Sequence, residues 1–205
     1  DLNEQATKIR ERNAIVLSKQ MEEALSDLNF LEAKFSIEVR VLTDYVSAQG
    51  NNEVEFMIST NPGERLKPLG EVASGGEMSR IMLAIKTVLA DRDDTSTLIF
   101  DEIDAGISGR TAQMVSEKLA LLSRNHQVIC ITHLPQIASM ADVHYEITKQ
   151  VEAAHTLTQV RELSSDSTIQ ELARLLGGAR ITDAVLQNAT EMKELATQKK
   201  KMFEK

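Results

Sequence analysis

The feature that most constrains this chain is a pair of short apolar runs, each ending in polar residues, with a helical stretch between them. Thr97-Leu98-Ile99-Phe100 leads into Asp101-Glu102, and Gln127-Val128-Ile129-Cys130-Ile131 leads into Thr132-His133. Runs this short and this rich in β-branched residues are strand-sized, and residues 110–123 carry the helical period. Strand, helix, strand in that order calls for a parallel sheet of the α/β kind. In such sheets ligands bind beyond the carboxyl ends of the strands, which is where both polar endings fall.

The rest of the chain changes period several times. Residues 1–34 contain no Gly or Pro and read as one helix. Leu2, Ala6, Ile9, Asn13 and Val16 recur at 4-3-4-3 spacing, and Leu17, Met21, Ala24, Leu28, Leu31 and Phe35 repeat it after a one-residue shift. This is an apolar seam of the coiled-coil kind with one discontinuity, and equally the face of an amphipathic helix on a globular core. Ile37, Val39 and Val41 then alternate with polar neighbours, as do Val54, Phe56 and Ile58, with a turn over 47–52. An antiparallel strand pair follows from that, ended by Asn61-Pro62-Gly63. Ser74 with Glu77 three residues on predicts a helix start, and Met78, Ile81, Met82, Ile85 and Leu89 supply its apolar face. Beyond the second run, 143–148 and 156–163 alternate as strands. Residues 168–176 and 182–200 are helical, with Gly177-Gly178 between them.

At 205 residues and 42% hydrophobic, the chain can bury a sizeable core. No apolar run approaches the roughly 20 residues of a membrane span, and no signal-peptide pattern opens the chain. The single cysteine, Cys130, makes no internal disulfide, which suits a reducing cytosol. A net charge of -8 and the absence of Trp argue against wholesale electrostatic or base-stacking capture of nucleic acid, leaving room for a local basic patch. The lysine-bearing tail from Glu191 reads as a solvated helix end.

Three segments could carry chemistry. Two glycines after Ser74 let a ligand approach the backbone at a helix start, where free N–H groups and the dipole favour an anion. The same pentapeptide, Ala73 to Glu77, also reads as a turn and a cap alone. Asp101 and Glu102 point differently at a strand end, so one can hold Mg²⁺ while the other faces a water, or both can be solvated acids. His133 stands beyond the second strand, and no other histidine nor Cys130 keeps metal-ligand spacing with it.

In order and spacing these segments resemble the carboxyl half of an ABC-type ATPase head, in the branch that includes SMC proteins. Ser74-Gly75-Gly76-Glu77 is similar to the signature motif, Asp101-Glu102 to the Walker B acids, residues 104–108 to the D-loop and His133 to the switch histidine. The longer strings over 72–86, 99–110, 131–138 and 171–178 resemble the RecN family of bacterial SMC-like DNA repair ATPases. The resemblance implies a P-loop NTPase of the ABC/SMC head type, with its carboxyl-terminal lobe over 35–205 and the end of a coiled-coil arm over 1–34. It implies ATP hydrolysis in double-strand-break repair and recombination, in the cytoplasm at the nucleoid. ATP and Mg²⁺ would be used, with Asp101 at the metal and Glu102 and His133 catalytic. Ser74, Gly75, Gly76 and Glu77 would bind the nucleotide of a second head in a homodimer. The implied partners are the amino-terminal lobe of the same protein, that second head and DNA, with no membrane.

Two positions depart from the general pattern: Ala73 where ABC signatures have Leu, and Ser108 where SMC D-loops often have Asp. The larger departure is that no Gly-x-x-x-x-Gly-Lys-[Ser/Thr] occurs. The chain therefore reads as one lobe, expected to be inactive alone. Another ABC-type ATPase, whether SMC-like or a transporter subunit, and a non-catalytic head-pairing module are the alternatives.

Overall fold

The computed structural model describes residues 2–203 except Ala73, Ala153, Ala154 and Ala179. The chain divides into two compact units. The first is Asp1–Ser96 with Phe100–Ala105, and the second is Thr97–Ile99 with Gly106–Lys205.

The first unit opens with α1 (Leu2–Asp27). Its carboxyl half buries Met21, Ala24 and Leu25, while Leu2, Ile9 and Val16 of the same seam lie exposed. Each large side chain buried there contributes roughly 1.5–3 kcal/mol. The helix stops seven residues short of the expected 34. Asn29 turns left-handed at φ 71°, and the N–H groups of Asn29 and Phe30 reach back to the carbonyls of Ser26 (3.2 Å) and Leu25 (3.1 Å). That pair of bonds is a Schellman stop, with Asn in the position glycine usually holds. Leu28 and Phe35 are buried outside the helix, and Leu31 is exposed.

Next come β1 (Lys34–Val41) and β2 (Asn52–Ser59), antiparallel as expected, with Phe35 opposite Ile58 and Ile37 opposite Phe56. Phe35 and Ile58 are buried, α1 packs on β1, and the two-residue β3 (Lys67–Pro68) pairs with β2. Helix α2 (Gly75–Val88) packs on α1 and buries Ile81, Leu83, Ala84 and Ile85.

Strand β4 (Thr97–Phe100) hydrogen-bonds to β5 (Gln127–Cys130), joined through α3 (Gly109–Leu122). Both strands are apolar, yet Ile99 is 68% exposed, Ile129 44% and Ile131 49%, against 7% for Leu98 and 5% for Phe100. Alternation along a strand puts these isoleucines on the face opposite Leu98 and Phe100, and that face is uncovered.

The second unit continues with α4 (Pro135–Ser139), β6 (Tyr145–Glu152), β7 (His155–Glu162), α5 (Ser165–Gly177) and α6 (Asp183–Phe203). Strands β6 and β7 form an antiparallel hairpin. Leu172, Ala173, Ala189 and Ala138 make a core where α4, α5 and α6 meet. The basic tail is partly consumed by structure. Lys193 donates to the carbonyls of Ser139 (2.9 Å) and Ala141 (2.8 Å), and Lys200 to that of Met140 (3.2 Å) and to Asp142. Cations there satisfy the free carbonyls at the end of α4, and burial pushes the Lys193 ammonium below its ordinary pKa.

Candidate functional site

Ser74 caps α2 as its spacing predicts. Its backbone is extended, and its Oγ accepts the Glu77 N–H at 3.4 Å. Ser74 and Gly75 are exposed, Gly76 is buried and Glu77 half-buried. The two glycines have different neighbours. A methyl placed on Gly76 would lie 2.7 Å from Ala105 Cβ and 2.9 Å from the carbonyl oxygen of Glu102, whereas one on Gly75 would overlap Glu102 Oε2. The helix start and the acid-bearing loop are therefore in direct contact, backbone on backbone at Gly76.

The loop itself is tightly organised. Asp101 Oδ1 accepts the Glu102 N–H at 2.9 Å, and the Ala105 N–H donates to the Glu102 carbonyl at 3.0 Å. Glu102 holds φ 55°, a left-handed conformation that costs a residue with a Cβ about 1–2 kcal/mol. Such strain persists where neighbours over-determine the backbone. Here Ser79, one turn into α2, donates its hydroxyl to the Asp101 carbonyl at 2.7 Å. Asp101 and Glu102 are both exposed, so their carboxylates face solvent while their backbones are held. A carboxylate near the start of α2 is also favoured by the helix dipole.

Arg80 completes the support, and the sequence reading did not single it out. It is 8% exposed. Its Nη1 donates to the carbonyls of Ala105 at 2.8 Å and Ile103 at 3.4 Å. Its guanidinium lies over the Phe30 ring at 5.4 Å from the centroid. Nε has no hydrogen-bond partner, a deficit of about 1–3 kcal/mol that the ring contact offsets by roughly 0.5–2 kcal/mol. Burial lowers the pKa of the guanidinium, partly opposed by Glu77, yet it stays charged. The available signal was a cation at the sixth position after Ser74, directly before the apolar run Ile81 to Ile85.

The structure thus brings Ser74, Gly75, Gly76 and Glu77 together with Asp101 and Glu102 in the first unit. His133 belongs to the second unit, exposed in the segment after β5, where the Leu134 N–H donates to Thr132 Oγ1 at 3.0 Å. Ser108 is the N-cap of α3 with extended backbone, and its side chain makes no capping bond. Ala73 lies outside the described residues. Among the described residues no helix is long and apolar enough to cross a membrane.

No family model matches the chain. Relatives do. DNA repair protein RecN of Vibrio cholerae is 45% identical over 185 residues, covering 90% of this chain and 33% of that protein. RecN of Halalkalibacterium halodurans is 41% identical over 93% of this chain and 34% of its own length. RecN of Bacillus subtilis is 39% identical over 95% and 36%. The chain therefore spans about a third of the relatives it matches. Among solved structures, the Smc head domain with a coiled coil and joint from Pyrococcus yayanosii aligns at TM-score 0.55 and 21% identity, covering 80% of this chain and 29% of that one. The Smc head with an extended coiled coil from Pyrococcus furiosus, bound to the C-terminal domain of ScpA, aligns at TM-score 0.55 and 18% identity, covering 85% and 41%. In sequence the chain is RecN-like across nine-tenths of its length, and in fold it is similar to the head domains of Smc proteins.

Proposed function

We propose that this chain is the carboxyl-terminal lobe of the ATPase head of a RecN-like protein that acts in DNA double-strand-break repair and recombination, in the cytoplasm at the nucleoid. The observation that carries this reading is the contact of the acid loop with the Ser74–Gly76 helix start, backbone against backbone. Anion-binding N–H groups and two carboxylates at a strand end are what attack of water on a phosphate needs.

The donor set fits Mg²⁺ brought with a nucleotide. Among the described residues no three His, Cys, Asp or Glu side chains cluster as a metal site. Mg²⁺ bound with ATP takes only one or two carboxylates beside phosphate oxygens and water. Asp101 is that carboxylate, and Mg²⁺ when bound offsets the charge that develops on the phosphates. Glu102 orients the attacking water and accepts its proton. Ser74 donates its hydroxyl hydrogen, and Gly75 and Gly76 their N–H groups, to phosphate oxygens of the nucleotide held by a second head. Glu77 holds the Ser74 oxygen in place through its backbone N–H. His133 donates to the terminal phosphate.

The lysine-bearing phosphate loop is supplied by the amino-terminal lobe of the same protein, which covers the exposed face of Ile99, Ile129 and Ile131. The exposed seam of Leu2, Ile9 and Val16 on α1 meets the other strand of a coiled-coil arm, so that residues 1–34 are the arm's end and 35–205 the lobe. ATP bound between two heads holds them together, hydrolysis releases them, and the cycle opens and closes the pair around DNA. The chain by itself does not turn over ATP.

In the whole protein, Glu102→Gln lowers steady-state hydrolysis by about 100-fold or more. It leaves ATP affinity within about twofold, and ATP then traps a head dimer in gel filtration. Hydrolysis by this variant at the wild-type rate rejects the reading.

A further inference from the structure

We infer that Arg80 is a positioning residue that ties the end of α1 to the loop carrying Glu102, so that the arm and the hydrolytic carboxylate share one mechanical link. The inference rests on the reading of Glu102 as the base.

Three observations in the first unit carry it. Arg80 holds the loop from one side, through the carbonyls of Ile103 and Ala105. Ala105 in turn closes the turn on the Glu102 carbonyl, and Glu102 sits in the strained left-handed conformation whose direction that turn sets. Glu102 therefore depends for its aim on a grip one and three residues further along the loop, at the carbonyls of Ile103 and Ala105.

On the other side the guanidinium lies over Phe30. Phe30 is fixed by the stop of α1, its N–H bonded to the Leu25 carbonyl at 3.1 Å, and Leu25 and Leu28 beside it are fully buried. A shift or rotation of α1 carries the ring with it, and the ring carries the cation. Nε, buried and without a partner, leaves the guanidinium one unspent donor, so its present seat does not exhaust its bonding. Lysine cannot replace this arrangement: a point charge lacks the plane that stacks on the ring while one edge of it donates to the loop.

The experiment uses the whole protein and measures ATP affinity and turnover separately. Arg80→Lys is expected to lower kcat by roughly 10- to 100-fold, the cost of a misaimed catalytic group. ATP affinity is expected to change by less than about twofold. Phe30→Leu keeps an apolar side chain but loses the ring face, and should lower kcat in the same direction. Phe30→Tyr keeps the ring and should turn over like wild type. The double variant Arg80→Lys/Phe30→Leu should be no slower than Arg80→Lys, because both act through one link. Wild-type kcat in Arg80→Lys and Phe30→Leu, with Glu102→Gln inactive, overturns the link and leaves the base assignment standing. Additive losses in the double variant also overturn it. Hydrolysis by Glu102→Gln instead overturns the base assignment, and the link with it. If Arg80→Lys does not fold, the comparison of Phe30→Leu with Phe30→Tyr decides, and equal rates overturn the link.

Discussion

At Gly76 a methyl group has no room that a side chain could vacate, because what it meets is the Glu102 carbonyl at 2.9 Å and the Ala105 Cβ at 2.7 Å. At Gly75 it meets only the end of the Glu102 side chain, which can swing away. The two substitutions should therefore separate. Gly76→Ala should destabilise the chain by about 1–3 kcal/mol, the usual cost of forced overpacking. Gly75→Ala should stay within about 0.5 kcal/mol of wild type, since nothing rigid must move. Urea titration of both variants checks this, and equal destabilisation would mean that the loop does not rest on Gly76. The sequence made the glycine pair legible, because a helix start that must be approached closely has few other solutions. It could not show what approaches, since Glu102 and Ala105 lie more than two dozen residues away along the chain. Arg80 was illegible for the same reason: a cation on a helix reads as solvated until the carbonyls that bury it are in view.

Hydrophobic period located most elements, and where it erred the cause is local. The first helix was drawn to residue 34 because Leu28, Leu31 and Phe35 continue the seam, but Asn29 stops it at Asp27 by taking the left-handed turn. Period cannot see such a stop. Strand β3 and helix α4 are two and five residues long, shorter than any window that measures period. Strand β5 is apolar, yet Ile129 faces outward, since apolarity does not say which side is covered. His144, just before β6, has a buried Nδ1 without a partner, and its carbonyl accepts the Leu163 N–H at 2.9 Å. Burial lowers the His144 pKa below its ordinary 6.5, Lys193 adds to this, and Glu171 and Glu146 oppose it. The unfolded chain then binds this proton more readily than the folded one, so acidification through the unfolded pKa favours unfolding, and the loss is complete below the folded pKa. The urea midpoint should fall as pH drops from about 7.5 to about 5.5, and His144→Gln should flatten that slope. An unchanged slope in the variant would clear His144 of the effect.

For the whole molecule the open question is which nucleotide each half of the site serves. Within one chain the Glu102 carboxylate already covers Gly75 at the start of α2. Two anions do not share one helix end, because they would occupy the same space and repel each other at the same partial charge. A phosphate received by Ser74–Gly76 therefore belongs with a Glu102 that has turned away toward a different nucleotide, which is the arrangement of two heads exchanging signature motifs. Ser74→Arg puts a long cation where that phosphate enters, so each head should bind its own ATP yet fail to turn it over. Mixing Ser74→Arg with Glu102→Gln in the whole protein tests the exchange directly. In a mixed dimer one composite site carries both lesions and the other carries neither. Random pairing of equal amounts makes about half the dimers mixed, each with one good site of two, so about a quarter of the wild-type rate should return if the sites work independently. If mixed dimers form and activity stays at zero, Ser74 and Glu102 serve one site within one chain, and the contact of Glu102 with Gly75 is then the working geometry and not a resting one.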